Sequence, residues 1–226
     1  MTPNNRSAIV AGATGLVGER VLRMLLASPL YDSVVTVTRK QIATEHPKLR
    51  QLVGNLDDTE AMVANAQVKA SDAYCGLGTT IKIAGSQPAF RKVDFDYVVG
   101  LARAAKAAGA TRFMLVSAIG ASPASKIFYS RIKGETEEAL GHMGFEALHI
   151  FRPGLLLGQR SEARATESMA MKLSPFISPL LIGPASIYKS IDADDVAAAM
   201  IAAAGSDARG QNVYTYNEMI KLAGAC

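Results

Sequence analysis

The sequence predicts an α/β fold: a mostly parallel sheet, doubly wound, with helices on both faces in three layers and a small cap at the C-terminal end. Two observations carry this. Short apolar, β-branched runs alternate with longer runs of helical period about six times over the first 155 residues. The first such run passes straight into a glycine-rich turn that opens a helix, the arrangement with which doubly wound sheets begin. At 226 residues the chain is read as a single domain spanning 1–226, in which 155–226 form a small extension.

The elements follow in order. "SAIVA" (7–11) reads as a strand ending at glycine. Residues 16–28 carry Leu16, Val17, Val21, Met24 and Leu25 at helical spacing, and Pro29 stops the helix. "SVVTVT" (33–38) is a β-branched strand, and 50–56 contain another. A helix over 57–66 opens with acids that suit its positive end. "DAYCGLG" (72–78) is a strand running into a glycine turn. One long helix is expected over 87–109, closed by Gly109. Then come a strand at 112–118, a helix at 125–144 despite Gly134, and a strand at 146–154 ended by Pro-Gly. The tail supplies an alanine-rich helix at 191–205 capped by Asp192, a strand at 212–216 and a helix at 217–225.

Composition removes several function classes. The chain is 49% hydrophobic and 19% charged, as in soluble globular proteins. Its net charge of +4 is scattered, with no run of five or six cations, so no nucleic-acid partner is expected. No stretch of about 18 residues is apolar enough to span a membrane. Two cysteines, Cys75 and Cys226, do not make a disulfide framework, so a reducing, cytoplasmic location is expected. His46, His142 and His149 lack partners at ligand spacing, and no metal is expected.

Four stretches carry chemistry. "GATGLVG" places Gly12, Gly15 and Gly18 between a strand and a helix, where a tight turn and free helix N–H groups can cradle a pyrophosphate. The next strand ends in Thr38, Arg39 and Lys40, where a chain binding NAD usually has an acid for the ribose 2′-hydroxyl. A guanidinium there grips a 2′-phosphate instead, so NADP(H) is expected over NAD(H). "YCGLGTT" (74–80) ends a strand in small residues over which a cofactor can lie, with Gly76, Gly78 and Thr79 facing its ribose. Finally, Ser117 ends a strand, and Tyr129 and Lys133 follow four residues apart on one helix face. A lysine cation lowers the pKa of a neighbouring phenol, which makes Tyr129 a candidate acid–base group. Ser117 is the candidate donor to a substrate carbonyl.

With "VDFDYV", "VSAIGA", "YSRIKGE" and "FRPGLLLGQR", these stretches resemble the short-chain dehydrogenase/reductase superfamily in its atypical branch, and are similar there to small bacterial relatives of the Tat-interacting protein oxidoreductase. The resemblance runs through residues 7–160 and is weaker in "IDADDVAAAM". It implies a Rossmann fold, NADP(H) and a catalytic Ser117–Tyr129–Lys133 set. The expected cofactor contacts are Gly12, Thr14, Gly15, Leu16, Val17, Arg39, Lys40, Gly76, Leu77, Gly78 and Thr79. To these the resemblance adds Asn55 and Leu56 near the adenine, and Pro153 and Gly154 over the nicotinamide. Many relatives have Asp where Asn55 stands, and many extended relatives have a helix asparagine where Asp94 stands; the carboxylate puts the usual proton relay in doubt. Arg160 is a candidate anion contact for substrate.

The function expected is hydride transfer to or from a carbonyl or alcohol substrate by an NADP(H)-dependent oxidoreductase, acting as a monomer or homodimer. The alternative is an NADP(H)-sensing regulator without strong catalysis, a reading that Tyr129 and Lys133 disfavour. A sugar-nucleotide epimerase is disfavoured because about 70 C-terminal residues leave little room for a nucleotide-sugar pocket.

Overall fold

The computed structural model describes residues 6–158 and 187–224. Seven strands form one sheet: β1 (Arg6–Ala11), β2 (Tyr31–Thr38), β3 (Leu49–Val53), β4 (Asp72–Cys75), β5 (Arg112–Val116), β6 (Ala147–Phe151) and β9 (Gly210–Tyr214). Their order is β3-β2-β1-β4-β5-β6-β9, and every pairing is parallel. Two-residue strands β7 (Leu156–Leu157) and β8 (Ile191–Asp192) pair separately; too short to show a period, they were not legible as strands.

Strands β1, β4 and β6 are almost wholly buried, which requires helices on both faces. On one face lie α1 (Leu16–Ala27) and α7 (Ala193–Ala204), sharing a core of Val17, Val21, Leu25, Val196 and Met200. On the other lie α2 (Thr59–Asn65), α5 (Tyr97–Ala107) and α6 (Phe128–Gly141), with Val63, Leu101 and Leu140 inward. α7 begins where expected: the Asp192 carboxylate accepts the Asp194 N–H at 2.9 Å. The last helix, α8 (Tyr216–Ala223), starts with a capping box from Thr215 and Glu218.

The helix expected over 87–109 is a composite. After the short helix α3 (Ile81–Ala84), α4 (Gln87–Arg91) passes through a π-helical turn, Lys92–Asp96, into α5. One extra residue in a turn leaves the apolar period nearly intact, so it is invisible in the sequence. α6 is shorter than expected and tolerates Gly134 for a spatial reason. A Cβ there would stand 2.2 Å from the Ser122 carbonyl carbon, so glycine lets the loop after β5 lie against the helix. The strand order reverses between β1 and β4, and in such sheets the crevice beyond the strands' carboxyl ends at that point receives ligands.

Candidate active site

That crevice is a cleft of about 1350 Å³ lined by Gly12, Thr14, Thr38, Arg39, Lys40, Leu56 and Leu77, among others. Its floor is the turn between β1 and α1. Gly12 holds φ at +79°, and a Cβ on it would lie 2.4 Å from the Gly76 carbonyl carbon. The first turn therefore packs backbone to backbone against the loop after β4, which only glycine permits. No side chain caps α1 at Gly15, so the first-turn N–H groups, among them those of Leu16 and Val17, remain open to an anion. Arg39 and Lys40 are exposed at the end of β2, and among the described residues neither has an ion-pair partner. A pyrophosphate with cations beyond it fits this arrangement.

Leu56 and Leu77 line the cleft as expected. Asn55 is exposed, and its side chain accepts the Asp57 N–H at the start of a 3₁₀ turn, Leu56–Asp58. Pro153 accepts the Ile119 N–H at 3.0 Å, and Gly154 packs against the backbone of Tyr188 and Lys189. Arg160 lies outside the described residues.

Beyond Leu77, the loop through Gly78 and Thr79 reaches the second part of the site. Lys133 is buried on α6, and its Nζ meets Asp94 Oδ1 at 2.8 Å. The approach lies off the hydrogen-bonding direction, so the contact is an ion pair. Asp94 Oδ2 accepts the Thr79 N–H at 2.9 Å. Tyr129 lies one turn before Lys133, its ring tilted against Phe90 with centroids 5.5 Å apart.

The electrostatics depart from the sequence reading. Burial pushes the Tyr129 phenol above its ordinary value; Lys133 pulls it down, Asp94 pushes it up, and the net direction is up rather than down. Burial also opposes the charge on Lys133, but Asp94 and Tyr129 outweigh it and hold the lysine above its usual value. Asp94 is raised by burial, and Lys133 offsets this only in part. The expected simple Tyr–Lys pair is therefore a Tyr–Lys–Asp set.

Ser117 also differs from expectation. It is buried, and its hydroxyl donates to Glu137 Oε1. A hydroxyl has one proton to give. In this arrangement that proton goes to Glu137 rather than toward the cleft. Glu137 in turn accepts from Arg152 Nε at 3.0 Å and from Arg152 Nη2. This Ser117–Glu137–Arg152 chain joins the end of β5, α6 and the end of β6, and no local pattern of residues signals it. Ser117 lies twenty residues before Glu137, and Arg152 fifteen after it.

Residues 12–207 match the NAD(P)H-binding family. The chain belongs to that family. Its relatives include "Protein FMP52, mitochondrial" of Candida albicans, 34% identical over 194 residues and 84% of each chain. "Protein HTATIP2" of Rattus norvegicus is 35% identical over 170 residues, 74% of this chain and 70% of that one. The resemblance to the Tat-interacting protein oxidoreductase group therefore holds. Among solved structures, the Bordetella bronchiseptica enzyme WbmH in complex with NAD⁺ aligns with a TM-score of 0.69 at 17% identity, over 97% of this chain and 80% of that one. UDP-glucose 4-epimerase of Thermotoga maritima gives 0.70 at 16%, over 97% and 82%. At such identities these two support the Rossmann fold alone.

The relatives correct one expectation of this NAD(P)H-binding protein. The fungal FMP52 proteins are named mitochondrial, which points away from the cytoplasm. Cysteine usage reports how reducing a compartment is, not which compartment it is. Within the described residues, no helix is long and apolar enough to cross a membrane.

Proposed function

We propose that this protein is an NADP(H)-dependent oxidoreductase that reduces a carbonyl or oxidises the corresponding alcohol. The observation that carries the reading is a buried lysine cation one helical turn from Tyr129, beside the glycine loop of a dinucleotide cleft. When bound, the cofactor supplies or accepts the hydride at its nicotinamide. The first turn of α1 holds the pyrophosphate through its open N–H groups, and Arg39 and Lys40 hold the 2′-phosphate. Gly76 seats the loop after β4 against the Gly18 backbone of α1, the loop's Gly78 and Thr79 run beside the nicotinamide ribose, and Lys133 gives that ribose a cation to hydrogen-bond. Tyr129 exchanges the proton with the substrate oxygen. Ser117 acts indirectly by holding Glu137, and with it Arg152, in front of the Pro153–Gly154 turn.

The test is Tyr129→Phe, read by cofactor titration and by NADPH consumption across a panel of aldehydes and ketones. The expected result is NADPH affinity within about tenfold of wild type and no turnover. Wild-type protein that binds NADPH and turns over nothing in the panel would favour a sensing role. Loss of binding as large as the loss of turnover would make Tyr129 a structural residue.

A further inference from the structure

The π-helical turn at Lys92–Asp96 sets the environment of the site. It turns Asp94 fully inward, and from there the one residue reaches three elements. Its Oδ2 takes the Thr79 N–H of the loop after β4. Its backbone carbonyl takes the Thr136 hydroxyl of α6 at 2.9 Å. Its Oδ1 meets Lys133. π-Helical turns inside longer helices occur often at functional sites. Here the extra residue puts a carboxylate where it ties α6 to the cofactor-side loop.

The loop is shaped around this pair. A Cβ at Gly78 would stand 3.4 Å from Asp94 Oδ1 and 3.6 Å from Lys133 Nζ. Any side chain there would run into the pair, so glycine lets the loop lie close over the buried ion pair. Two buried charges 2.8 Å apart present almost no net charge to a third group beyond them.

We propose that Asp94 is the counter-ion of Lys133, a positioning residue that pins the lysine to the Gly78–Thr79 loop and reserves Tyr129 as a proton donor, so that the resting site is prepared to reduce a carbonyl. The inference rests on the oxidoreductase reading above. In that direction hydride adds to the carbonyl carbon, the C=O π pair moves onto oxygen, and that oxygen takes the Tyr129 proton. The products are an alcohol, oxidised cofactor and a phenolate at Tyr129. The reverse direction must begin from the phenolate, which Asp94 disfavours. The overall equilibrium is unaffected; what Asp94 sets is the protonation state in which the site waits.

The groups around Tyr129 are few among the described residues. From α6 it faces Lys133, from the π-helical turn Asp94, and from α4 the apolar ring of Phe90. From β4, Cys75 faces Lys133, and burial pushes this thiol up to about 12, so it adds no charge near neutral pH. Arg91, Arg131 and Glu135 pair among themselves.

The experiment is a pH titration of the tyrosine ring carbons by NMR in protein carrying ¹³C-labelled tyrosine, with Tyr129→Phe assigning the resonance. It needs neither substrate nor cofactor. Wild-type Tyr129 should stay protonated into the alkaline range. Asp94→Asn keeps the shape and an acceptor for Thr79, and should lower the Tyr129 midpoint by about one pH unit or more. Lys133→Gln should raise it, and the double variant should fall between the two single variants. A midpoint unmoved by Asp94→Asn, or equal in Asp94→Asn and the double variant, overturns the proposal. If Asp94→Asn does not fold, Lys133→Gln alone decides: a midpoint that fails to rise overturns it. The expected shifts in a protein that reduces no carbonyl would uphold the counter-ion and sink the oxidoreductase reading, so the two failures are distinguishable.

Discussion

Arg39→Ala should weaken NADPH binding while leaving NADH nearly unchanged. Arg39 is exposed at the end of β2, and among the described residues it is neither ion-paired nor packed into the core. Its removal therefore breaks no internal contact, and stability should hold to within about 0.5 kcal/mol. What is lost is a charge-assisted, bidentate grip on the 2′-phosphate, worth roughly 1.5–3 kcal/mol. Lys40 remains beside it as a point charge and retains part of the attraction. The net expectation is a weakening of roughly ten- to thirtyfold for NADPH, deepening in Arg39→Ala/Lys40→Ala. Titration by cofactor fluorescence at fixed ionic strength measures both dissociation constants. An equal loss for NADH and NADPH would refute the 2′-phosphate assignment, because NADH has no group there for Arg39 to hold. Wild-type affinities that are already equal would refute it sooner.

Other consequences are as direct. Gly12→Ala must place a side chain at positive φ, costing about 1–2 kcal/mol, and drive it into the Gly76 backbone, which cannot swing aside; thermal melts should show a loss larger than that figure, together with loss of cofactor binding. Glu137→Gln leaves the half-buried Arg152 guanidinium without its counter-charge and should cost about 2–3 kcal/mol in denaturant unfolding; recovery in Glu137→Gln/Arg152→Met would assign the loss to the pair, and an unchanged midpoint in the single variant would count against it. His149 is pushed down to about 4, first by burial and then by Arg112, with Asp72 opposing. Its folded form is neutral, so between pH about 6.5 and 4 the unfolded chain binds the extra proton. Stability from this group is complete above pH about 6.5 and lost as pH falls through that window, by on the order of 3 kcal/mol. His149→Phe should flatten that part of the stability–pH curve, and an unaltered slope would contradict the assignment.

The fold was largely legible in the chain because its signals are local. "SAIVA" followed by "GATGLVG" specifies strand, turn and helix through side-chain size and period alone, and the structure places Gly12 at a conformation and a contact that only glycine allows. The Asp192 cap and the glycine after α5 were readable for the same reason. A parallel sheet covered on both faces followed from alternation, since parallel strands need crossovers and crossovers place helices on the faces; the order of the strands came only with the structure.

What the tertiary structure alone decided is which groups share the site and with what charge. The four-residue spacing of Tyr129 and Lys133 put them on one face, but the expected lowering of the phenol assumed an unpaired cation. Asp94, thirty-nine residues before Lys133, cancels it through an ion pair that exists only once the helix carrying the π turn packs on α6. In the sequence nothing occupies the Ser117 hydroxyl; the fold brings Glu137 to it and Arg152 to Glu137. A backbone turn is written into a few consecutive residues. The state of a buried proton depends on burial and on charges contributed by distant segments, and those distances come into being only when the sheet and helices close around them.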